Sequence, residues 1–409
     1  MLTPLFTALL SLGVAFVTTF AFVPQVRRFA IECRVADKPN GRKLHAHAIP
    51  HLGGIAIFFG VFLGLLISLA ARDGADLVGR VLALLPGLVI VFGLGLVDDL
   101  RGLRAGVKLT YQILAAACVV AMGAGFFRAT AAPGALGFAL LVGLSLFWYV
   151  GVCNSVNLID GLDGLAAGTA TLAAAGFLGM GLRLGDAAVS LVSLCLIGSL
   201  LAFLRFNFHP ARIFMGDTGS MFIGFALASL ACLLSRHLGL WTACLGGATI
   251  LGLPLLDTAS AICRRLLARR HIFQADGEHT HHKLMRAGLS HRGAVVALYG
   301  LEAVFVLLGC GVMLGYGWCF AVAVALGVAS ALAVTALARR AQLAPPAPMS
   351  LEPALAAAAR RLPPTPSAEP VPLRAVPVAS AAGAGDEPAV AALQSTTLRP
   401  SGVRSQTSR

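Results

Sequence analysis

Four short polar side chains interrupt an otherwise apolar part of the chain in the segment NSVNLIDGLDGLAAG, residues 154–168. Asn154, Asn157, Asp160 and Asp163 follow one another at intervals of three, so neighbouring members would share a face if the segment were helical. The glycines among them allow the backbone to approach a ligand closely. A glycine-rich turn with Asx caps is the structural alternative, but the repeated Asp-Gly pattern favours a ligand site.

Three more aspartates stand at the edges of apolar stretches. Asp98 and Asp99, in GLVDDLRGL, end one stretch, where their charge would oppose the macrodipole of a helix. The pair could simply face water, but a cation or a base role explains it better. Asp217, in FMGDTGS, could be a helix N-cap. Its carboxylate and the amide of Asn157 are also the kind of oxygen ligands that Mg²⁺ takes when it shares substrate phosphates.

Two basic segments could bind anions. The segment 264–293 contains His279, His281 and His282 among seven lysines and arginines. A zinc site would need a closed set of four ligands, and no cysteine accompanies these histidines in the loop, so an anionic substrate such as a diphosphate is favoured. The segment DKPNGRKLHAHAIPHLGG, residues 37–54, contains Lys43 and His45. A loop that binds lipid headgroups is the alternative there.

The composition places these segments in a membrane protein. Of 409 residues, 58% are hydrophobic and only 12% are charged, whereas soluble domains carry about 25% charged residues. Eleven apolar stretches approach the ~20 residues that cross a bilayer, so we expect an all-α polytopic protein with about 11 transmembrane helices. The predicted spans are 3–23, 51–71, 81–97, 107–127, 134–153, 165–182, 187–206, 219–235, 240–263, 294–315 and 317–338.

The charge of the connecting loops predicts the orientation. Loops rich in lysine and arginine alternate with short, nearly neutral ones, so the amino terminus is expected outside and the carboxyl terminus in the cytoplasm. The carboxylate clusters then lie on the cytoplasmic face, whereas a transporter would place its ionisable groups near mid-bilayer. Residues 1–342 are predicted to be the transmembrane domain. The Pro- and Ala-rich segment 343–409 is predicted to be a disordered cytoplasmic tail.

A divalent cation, cationic side chains and several carboxylates at a membrane surface suit one chemistry. They would transfer a phosphoryl group from a water-soluble donor to a lipid phosphate. A transporter or flippase for a lipid-linked saccharide is the rival from another class, although among the acidic residues only Asp257 and Glu302 lie inside predicted spans. CDP-alcohol phosphotransferases also use Asp-Gly motifs, but the segment GLDGLAAG lacks the arginine that they carry.

Taken together, the motifs resemble those of the polyprenyl-phosphate N-acetylhexosamine-1-phosphate transferases, the family of WecA, TagO and MraY. They occur in family order over roughly residues 1–338, and the tail has no counterpart. The matching segments are D-K-P-x-x-R-K-x-H…I-P-x-x-G-G (37–54), D-D (98–99), N-x-x-N-x-x-D-G-x-D-G-L-A (154–166), F-M-G-D-T-G-S (214–220), P-x-x-D (254–257) and F-x-A-D-x-x-H-x-H-H (273–282).

The resemblance implies a reaction and its participants. A UDP-N-acetylhexosamine and undecaprenyl phosphate would give polyprenyl-diphospho-N-acetylhexosamine and UMP, with Mg²⁺ or Mn²⁺, in a bacterial inner membrane with the active site on its cytoplasmic face. The H-x-H-H segment favours the GlcNAc branch, with a phospho-MurNAc-pentapeptide transferase as the alternative. Membrane lipids are the other expected partners. No nucleic acid is expected, and a homodimer is left open.

The resemblance also implies roles for individual residues. Asp98 would be the base that deprotonates the lipid phosphate, with Asp99 beside it. Asp160 and Asp163 would lie near the nucleoside, and the histidines would hold the diphosphate and sugar. The expected catalytic residues are Asp98, Asp99, Asp160, Asp163, His279, His281 and His282. The expected substrate-binding residues are Lys43, His45, Lys108, Asn154, Arg264 and Arg265, and the expected metal ligands are Asn157 and Asp217.

Overall fold

The computed structural model describes residues 4–33, 36–37, 49–71, 74–126, 134–269 and 279–343. Its helices are α1 (Pro4–Glu32), α2 (Gly54–Ala70), α3 (Ala75–Leu82), α4 (Leu85–Arg101), α5 (Ala105–Ala121), α6 (Ala135–Ile159), α7 (Leu165–Leu184), α8 (Ala187–Asn207), α9 (Gly216–Leu234), α10 (Leu240–Ile250), α11 (Gly252–Leu267), α12 (Thr280–Arg286), α13 (His291–Met313) and α14 (Trp318–Leu343). Two short strands, β1 (Ala36–Asp37) and β2 (Ile49–Pro50), pair antiparallel. The predicted substrate contacts Lys43 and His45 lie outside the described residues, as does almost all of the predicted tail.

The described chain forms an all-α polytopic membrane protein. Eight helical stretches are long and apolar enough to cross a bilayer when α3 and α4 are taken as one stretch, and the bent pair α10 and α11 would make a ninth. The apolar helices α2 and α5 have 17 residues each, slightly fewer than the ~20 of an average span. The polytopic class is confirmed, whereas the number of eleven spans and the orientation stay predictions.

One expected span is not continuous. The apolar stretch 240–263 breaks at Leu251, and α10 and α11 meet there at 84°. Pro254 has no N–H for the carbonyl of Ile250, which explains why a single helix does not run through this point. The N–H of Leu253, at the new helix start, donates to Oε2 of the fully buried Glu302 at 3.1 Å. Glu302 therefore satisfies a backbone N–H that the break leaves free, which gives a structural reason for a carboxyl group inside an apolar helix.

Helix α9 is the centre of the bundle. Every residue from Thr218 to Leu234 is buried, so the helix has no lipid-facing side. Small residues allow its neighbours to approach closely: a Cβ on Gly224 would lie 2.8 Å from the Cα of Cys153 on α6. The first turn of α9 carries Asp217. This aspartate is therefore fixed by the most enclosed helix of the described chain.

Candidate active site

The segment before α2 fixes the start of α9 through its backbone. The N–H groups of Gly53 and Gly54 donate to the carbonyls of Phe214 and Met215, both at 2.9 Å. A Cβ on Gly54 would lie 2.1 Å from the backbone nitrogen of Gly219. No larger residue fits such an approach of two backbones. The two glycines of IPHLGG thus explain how this motif positions FMGDTGS.

The ends of α4, α5 and α9 bring two carboxylates to one ammonium group. Lys108 Nζ donates to Asp98 Oδ2 in a short contact, and to Asp217 Oδ2 at 2.7 Å. Asp98 is buried, and its Oδ1 accepts the N–H of Leu103 at 2.6 Å. The alternative of an aspartate that simply faces water is therefore wrong for Asp98. Its carboxylate and that of Asp217 hold a positive charge between them.

Asn157, from the last turns of α6, completes this cluster. Its Nδ2 donates to Asp217 Oδ1 and to Ser220 Oγ, both at 2.9 Å. A half-turn of the amide would place its oxygen beside the same carboxylate. Two carboxylates with an adjacent amide fit a hard divalent cation that keeps several waters, and Lys108 Nζ already marks a place where positive charge is favourable. The alternative of Asp217 as the N-cap is wrong, because Met215 occupies that position.

Asp99 has a different environment from Asp98. Its Oδ1 accepts the N–H of Asp217 at 2.8 Å, and its Oδ2 accepts the N–H and hydroxyl of Thr218 at 3.0 and 2.5 Å. Gly216, with φ +69°, allows this approach, since its Cβ would lie 2.4 Å from Asp99 Oδ2. A carboxylate at a helix N-terminus is stabilised by the macrodipole. Asp99 therefore caps α9 and holds the backbone of Asp217.

Two glycines on α4 provide a test of this packing. A Cβ on Gly95 would lie 2.5 Å from both the carbonyl oxygen of Asp217 and the Cα of Thr218, whereas one on Gly93 meets nothing within 4 Å. Gly95→Ala should lower the free energy of unfolding by about 1–3 kcal/mol, because the first turn of α9 must move. Gly93→Ala should leave it unchanged or raise it by about 0.5–1 kcal/mol. Unfolding midpoints in nanodiscs measure both, and equal midpoints would contradict the tight α4–α9 contact.

The segment NSVNLIDGLDGLAAG, residues 154–168, is only partly helical. Helix α6 ends at Ile159 and Asp160 is its C-cap, so the expectation that Asp160 and Asp163 share a helical face is wrong. Asn154, in the helix, donates from Nδ2 to Gln112 Oε1 at 2.7 Å and to the carbonyl of Val150 at 2.8 Å. Both amide hydrogens of Asn154 are thus used inside the bundle, which indicates a structural role for its amide nitrogen.

Asp163 ties the turn to two distant segments. Its Oδ2 accepts from His209 Nδ1 at 2.7 Å and from the N–H of Ala211 at 3.0 Å, and its own N–H donates to His291 Nε2 at 3.1 Å. The partners are remote in sequence, so the alternative of a local Asx cap is wrong for Asp163. The side chains of Asp163, His209 and His291 are close enough together to hold a metal ion. However, the lone pair of His291 Nε2 already accepts the hydrogen bond from the N–H of Asp163. Hydrogen bonds therefore explain this arrangement.

Sequence reasoning missed His209 and His291. The rings of these two residues stack with centroids 4.1 Å apart beside Asp163. His209 lies in FNFHPA, just before the FMGDTGS motif, and His291 follows the basic loop in LSHR. Their nearness to the motifs was the available signal. A lone histidine in a loop is nevertheless weak evidence without the fold that brings it to an aspartate.

Asp160 has a strongly raised pKa. Burial, followed by the carboxylates of Asp217, Asp99 and Asp163, raises the pKa of Asp160 to about 8. The group is therefore protonated at neutral pH before a cation binds. A cation or a positively charged side chain arriving at this cluster would favour ionisation of Asp160.

This raised pKa predicts a pH-dependent stability. Between the unfolded pKa of ~3.9 and the folded pKa of about 8, the folded protein retains a proton that the unfolded chain has released. Stability should therefore fall with rising pH across that window, by at most about 1.4 kcal/mol per pH unit, and then level off. Asp160→Asn should lack this component. Unfolding midpoints in EDTA between pH 5 and 9 test it, and parallel curves for the two proteins would contradict it.

The histidines of the last loop are organised by Asp257, a residue that sequence reasoning left outside the site. His279 Nδ1 lies 2.7 Å from Asp257 Oδ2, and Asp257 Oδ1 accepts the N–H and hydroxyl of Thr280 at 2.8 and 2.6 Å. The rings of His281 and His282 lie 4.2 Å apart. A Cβ on Gly161 would lie 2.5 Å from His281 Nε2, so α12 meets the Asp160–Gly164 turn.

The expected arginines lie further along the helix that carries Asp257. Arg264 and Arg265 are in the last turn of α11, where positive charge is favourable to the helix dipole, and Arg265 is buried. The described site therefore joins Asp98, Lys108, Asn157 and Asp217 directly. Asp99 is linked to this cluster through the backbone at the start of α9. His281 of α12 approaches it through the turn at Gly161.

A bundle of apolar helices whose ends gather carboxylates, an amide, a lysine and histidines defines a polytopic membrane protein with an ionic site at helix ends. The model of glycosyl transferase family 4 matches residues 81–235. A Bacillus subtilis protein named a probable undecaprenyl-phosphate N-acetylglucosaminyl 1-phosphate transferase is 38% identical over 296 residues, which are 71% of this chain and 81% of that protein.

Two further relatives extend the comparison. A decaprenyl-phosphate N-acetylglucosaminephosphotransferase of Mycobacterium tuberculosis is 35% identical over 320 residues, 71% of this chain and 79% of its own length. A phospho-N-acetylmuramoyl-pentapeptide-transferase of Desulforudis audaxviator is 32% identical over 340 residues, which are 76% of this chain and 99% of that protein. The chain belongs to glycosyl transferase family 4, the polyprenyl-phosphate hexosamine-1-phosphate transferases, as the motifs indicated.

Proposed function

We propose that the protein transfers N-acetylglucosamine 1-phosphate from UDP-N-acetylglucosamine to undecaprenyl phosphate and releases UMP. The product would start a lipid-linked glycan of the cell envelope. The observation that carries this proposal is the cluster in which Lys108 joins Asp98 and Asp217 at the ends of three apolar helices. Lipid and nucleotide phosphates could meet there, at the surface of the membrane. Two of the relatives, at 38% and 35% identity, have names that favour GlcNAc as the sugar.

The membrane location of the site is inferred from the charge of the connecting loops. We infer eleven spans, an amino terminus outside and a site on the cytoplasmic face of a bacterial inner membrane, because the basic loops alternate with nearly neutral ones. UDP-sugars are cytoplasmic, so the donor would reach the site without crossing the bilayer. The predicted tail from 343 to 409 would then lie in the cytoplasm.

Mg²⁺ is the proposed cofactor, and Asp217 with Asn157 would hold it. Bound there, the ion would polarise the diphosphate and neutralise the charge that develops on the leaving UMP. Lys108 would contact a phosphate once the ion satisfies the two carboxylates. Asp98 would accept the proton of the lipid phosphate. Most of the rate enhancement would come from positioning and charge neutralisation.

The remaining residues would bind the donor. Asp160 and Asp163 would lie beside the nucleoside, since they form the turn between the metal ligands and α7. His279, His281 and His282 would hold the diphosphate and the sugar, and Arg264 and Arg265 would add positive charge.

Purified protein in detergent tests the proposal directly. It is incubated with undecaprenyl phosphate, UDP-GlcNAc and Mg²⁺, and UMP release is followed. We expect UMP only when both the lipid and the metal are present. UMP with UDP-MurNAc-pentapeptide instead would assign the protein to the other branch of the family. No UMP with any UDP-sugar, from protein that still binds the lipid, would favour a lipid-linked saccharide transporter.

A further inference from the structure

Asp257 is a buried carboxylate that no step of the proposed reaction uses. Its side chain is almost completely enclosed, on α11 just after the bend at Leu251. Isolated charges are costly in such a place, so a buried carboxylate is expected to have specific donors. Asp257 has three of them, and all belong to His279 and Thr280 at the start of α12.

The contact with His279 determines which ring nitrogen carries the hydrogen. An ionised carboxylate only accepts hydrogen bonds, so His279 Nδ1 must donate to Asp257 Oδ2 across their 2.7 Å separation. In the neutral ring, Nε2 then has the free lone pair.

The other oxygen of Asp257 fixes the helix that follows. Oδ1 accepts the N–H and the hydroxyl of Thr280, the first residue of α12, and so takes the place of an N-cap side chain, which His279 does not supply. His281 lies one residue further on, with its ring parallel to that of His279 at 5.8 Å. One carboxylate thus sets both the rotation of the His279 ring and the direction of α12.

The ring of His281, which α12 carries, is buried against the turn after α6. Burial, and then the neighbouring His282, lower the pKa of His281 to about 3, so its ring is neutral. Among the described residues its buried Nε2 has no hydrogen-bond partner, and it lies against Gly161 in the turn after α6. A buried polar atom without a partner is unfavourable unless a ligand satisfies it.

We propose that Asp257 is a positioning residue for the sugar-phosphate transfer. It holds hydrogen on His279 Nδ1 so that the lone pair of Nε2 accepts a hydrogen bond from a hydroxyl of the donor sugar, and it caps α12 so that His281 faces the Gly161 turn. This inference rests on the proposed function for the identity of the ligand. The tautomer of His279 and its dependence on Asp257 do not rest on it.

Asp257→Asn is the discriminating change. The asparagine oxygen can still cap Thr280, but its NH₂ group would meet His279 Nδ1, which must then accept and leave the hydrogen on Nε2. We expect kcat for UMP release to fall about 10- to 100-fold, the range found for carboxylates that orient metal-binding histidines, with a much smaller change in KM for UDP-GlcNAc. The unfolding midpoint should stay close to that of wild type.

Three further variants separate positioning from general stability. In His279→Gln the ring is absent, so adding Asp257→Asn to it should cause little further loss of kcat. Glu302→Gln is the matched control, because it replaces another buried carboxyl group that contacts α11 but not the histidines by an amide. It should retain the wild-type kcat, since the glutamine oxygen can still accept the N–H of Leu253.

Nitrogen NMR of ¹⁵N-histidine-labelled protein in nanodiscs gives the readout that does not need turnover. The His279 signal is assigned by its loss in His279→Gln. We expect hydrogen on Nδ1 in wild type and on Nε2 in Asp257→Asn. Hydrogen on Nε2 in wild type, or losses of kcat that add fully in the double variant, would overturn the proposal. Wild-type protein without UMP release but with the expected tautomer would overturn the proposed function alone.

Discussion

Asp217→Asn should reduce UMP release by about 10³-fold while the protein still inserts and folds. The carboxylate of Asp217 is the one group of the cluster that contacts both the lysine of α5 and the amide of α6, through separate oxygens. Replacing it removes the negative charge that would hold a divalent cation against the diphosphate. The amide is close in size, so the packing of α9 around it should change little.

Two measurements accompany this variant. Mg²⁺ should raise the unfolding midpoint of wild-type protein, as any ligand of the folded state does, and this rise should be lost in Asp217→Asn. Asp76→Asn is the control: Asp76 is an exposed acidic residue whose nearest ion-pair contacts are 3.7 and 3.8 Å long, so turnover should be unaffected. Full activity of Asp217→Asn at saturating Mg²⁺ would remove Asp217 from the metal site.

The sequence could predict the membrane class and the members of the central cluster. Spans of about 20 apolar residues leave little choice of structure in a bilayer, because every backbone group must be hydrogen-bonded within the protein. The motifs could indicate Asp98, Asn157 and Asp217 because acidic and amide groups are rare between apolar helices. Their contacts required the fold, since more than 100 residues separate Lys108 from Asp217.

Other features had no usable sequence signal. The apolar run from 240 to 263 is continuous in composition, and only Pro254 hinted at the bend after α10. Hydropathy does not report where a backbone N–H becomes free, so the cap by Glu302 could not be foreseen. Asp257 was visible as part of a motif, but its partners in α12 lie more than 20 residues away.

The sequence also does not show that the adjacent aspartates Asp98 and Asp99 have different partners. Sequence alone treats Asp98 and Asp99 as one acidic pair at the end of α4. The structure separates them, because adjacent helical side chains diverge by about 100° around the axis. Asp98 contacts Lys108, whereas Asp99 accepts the backbone N–H groups that begin α9. Asp98 is therefore part of the ionic cluster itself, whereas Asp99 fixes the start of the helix that carries Asp217.

This separation gives a prediction that depends on pH. The second pKa of a phosphate monoester is ~6, so about a tenth of the lipid phosphate is dianionic at pH 5 and nearly all of it at pH 8. If Asp98 is the base, Asp98→Asn should lose about 10²-fold in kcat/KM at pH 5, where the monoanion must be deprotonated. At pH 8 it should lose only about 10-fold, because Lys108 has lost one of its two carboxylate partners.

Asp99→Asn is the matched comparison, since it makes the same substitution one residue away. Asp99 caps α9 and has no contact with Lys108 among the hydrogen bonds of the described residues. Its loss should lower the unfolding midpoint and reduce kcat/KM by the same factor at pH 5 and pH 8. Equal losses at both pH values for Asp98→Asn as well would show that Asp98 acts only by holding Lys108. The lipid phosphate would then reach the site already ionised.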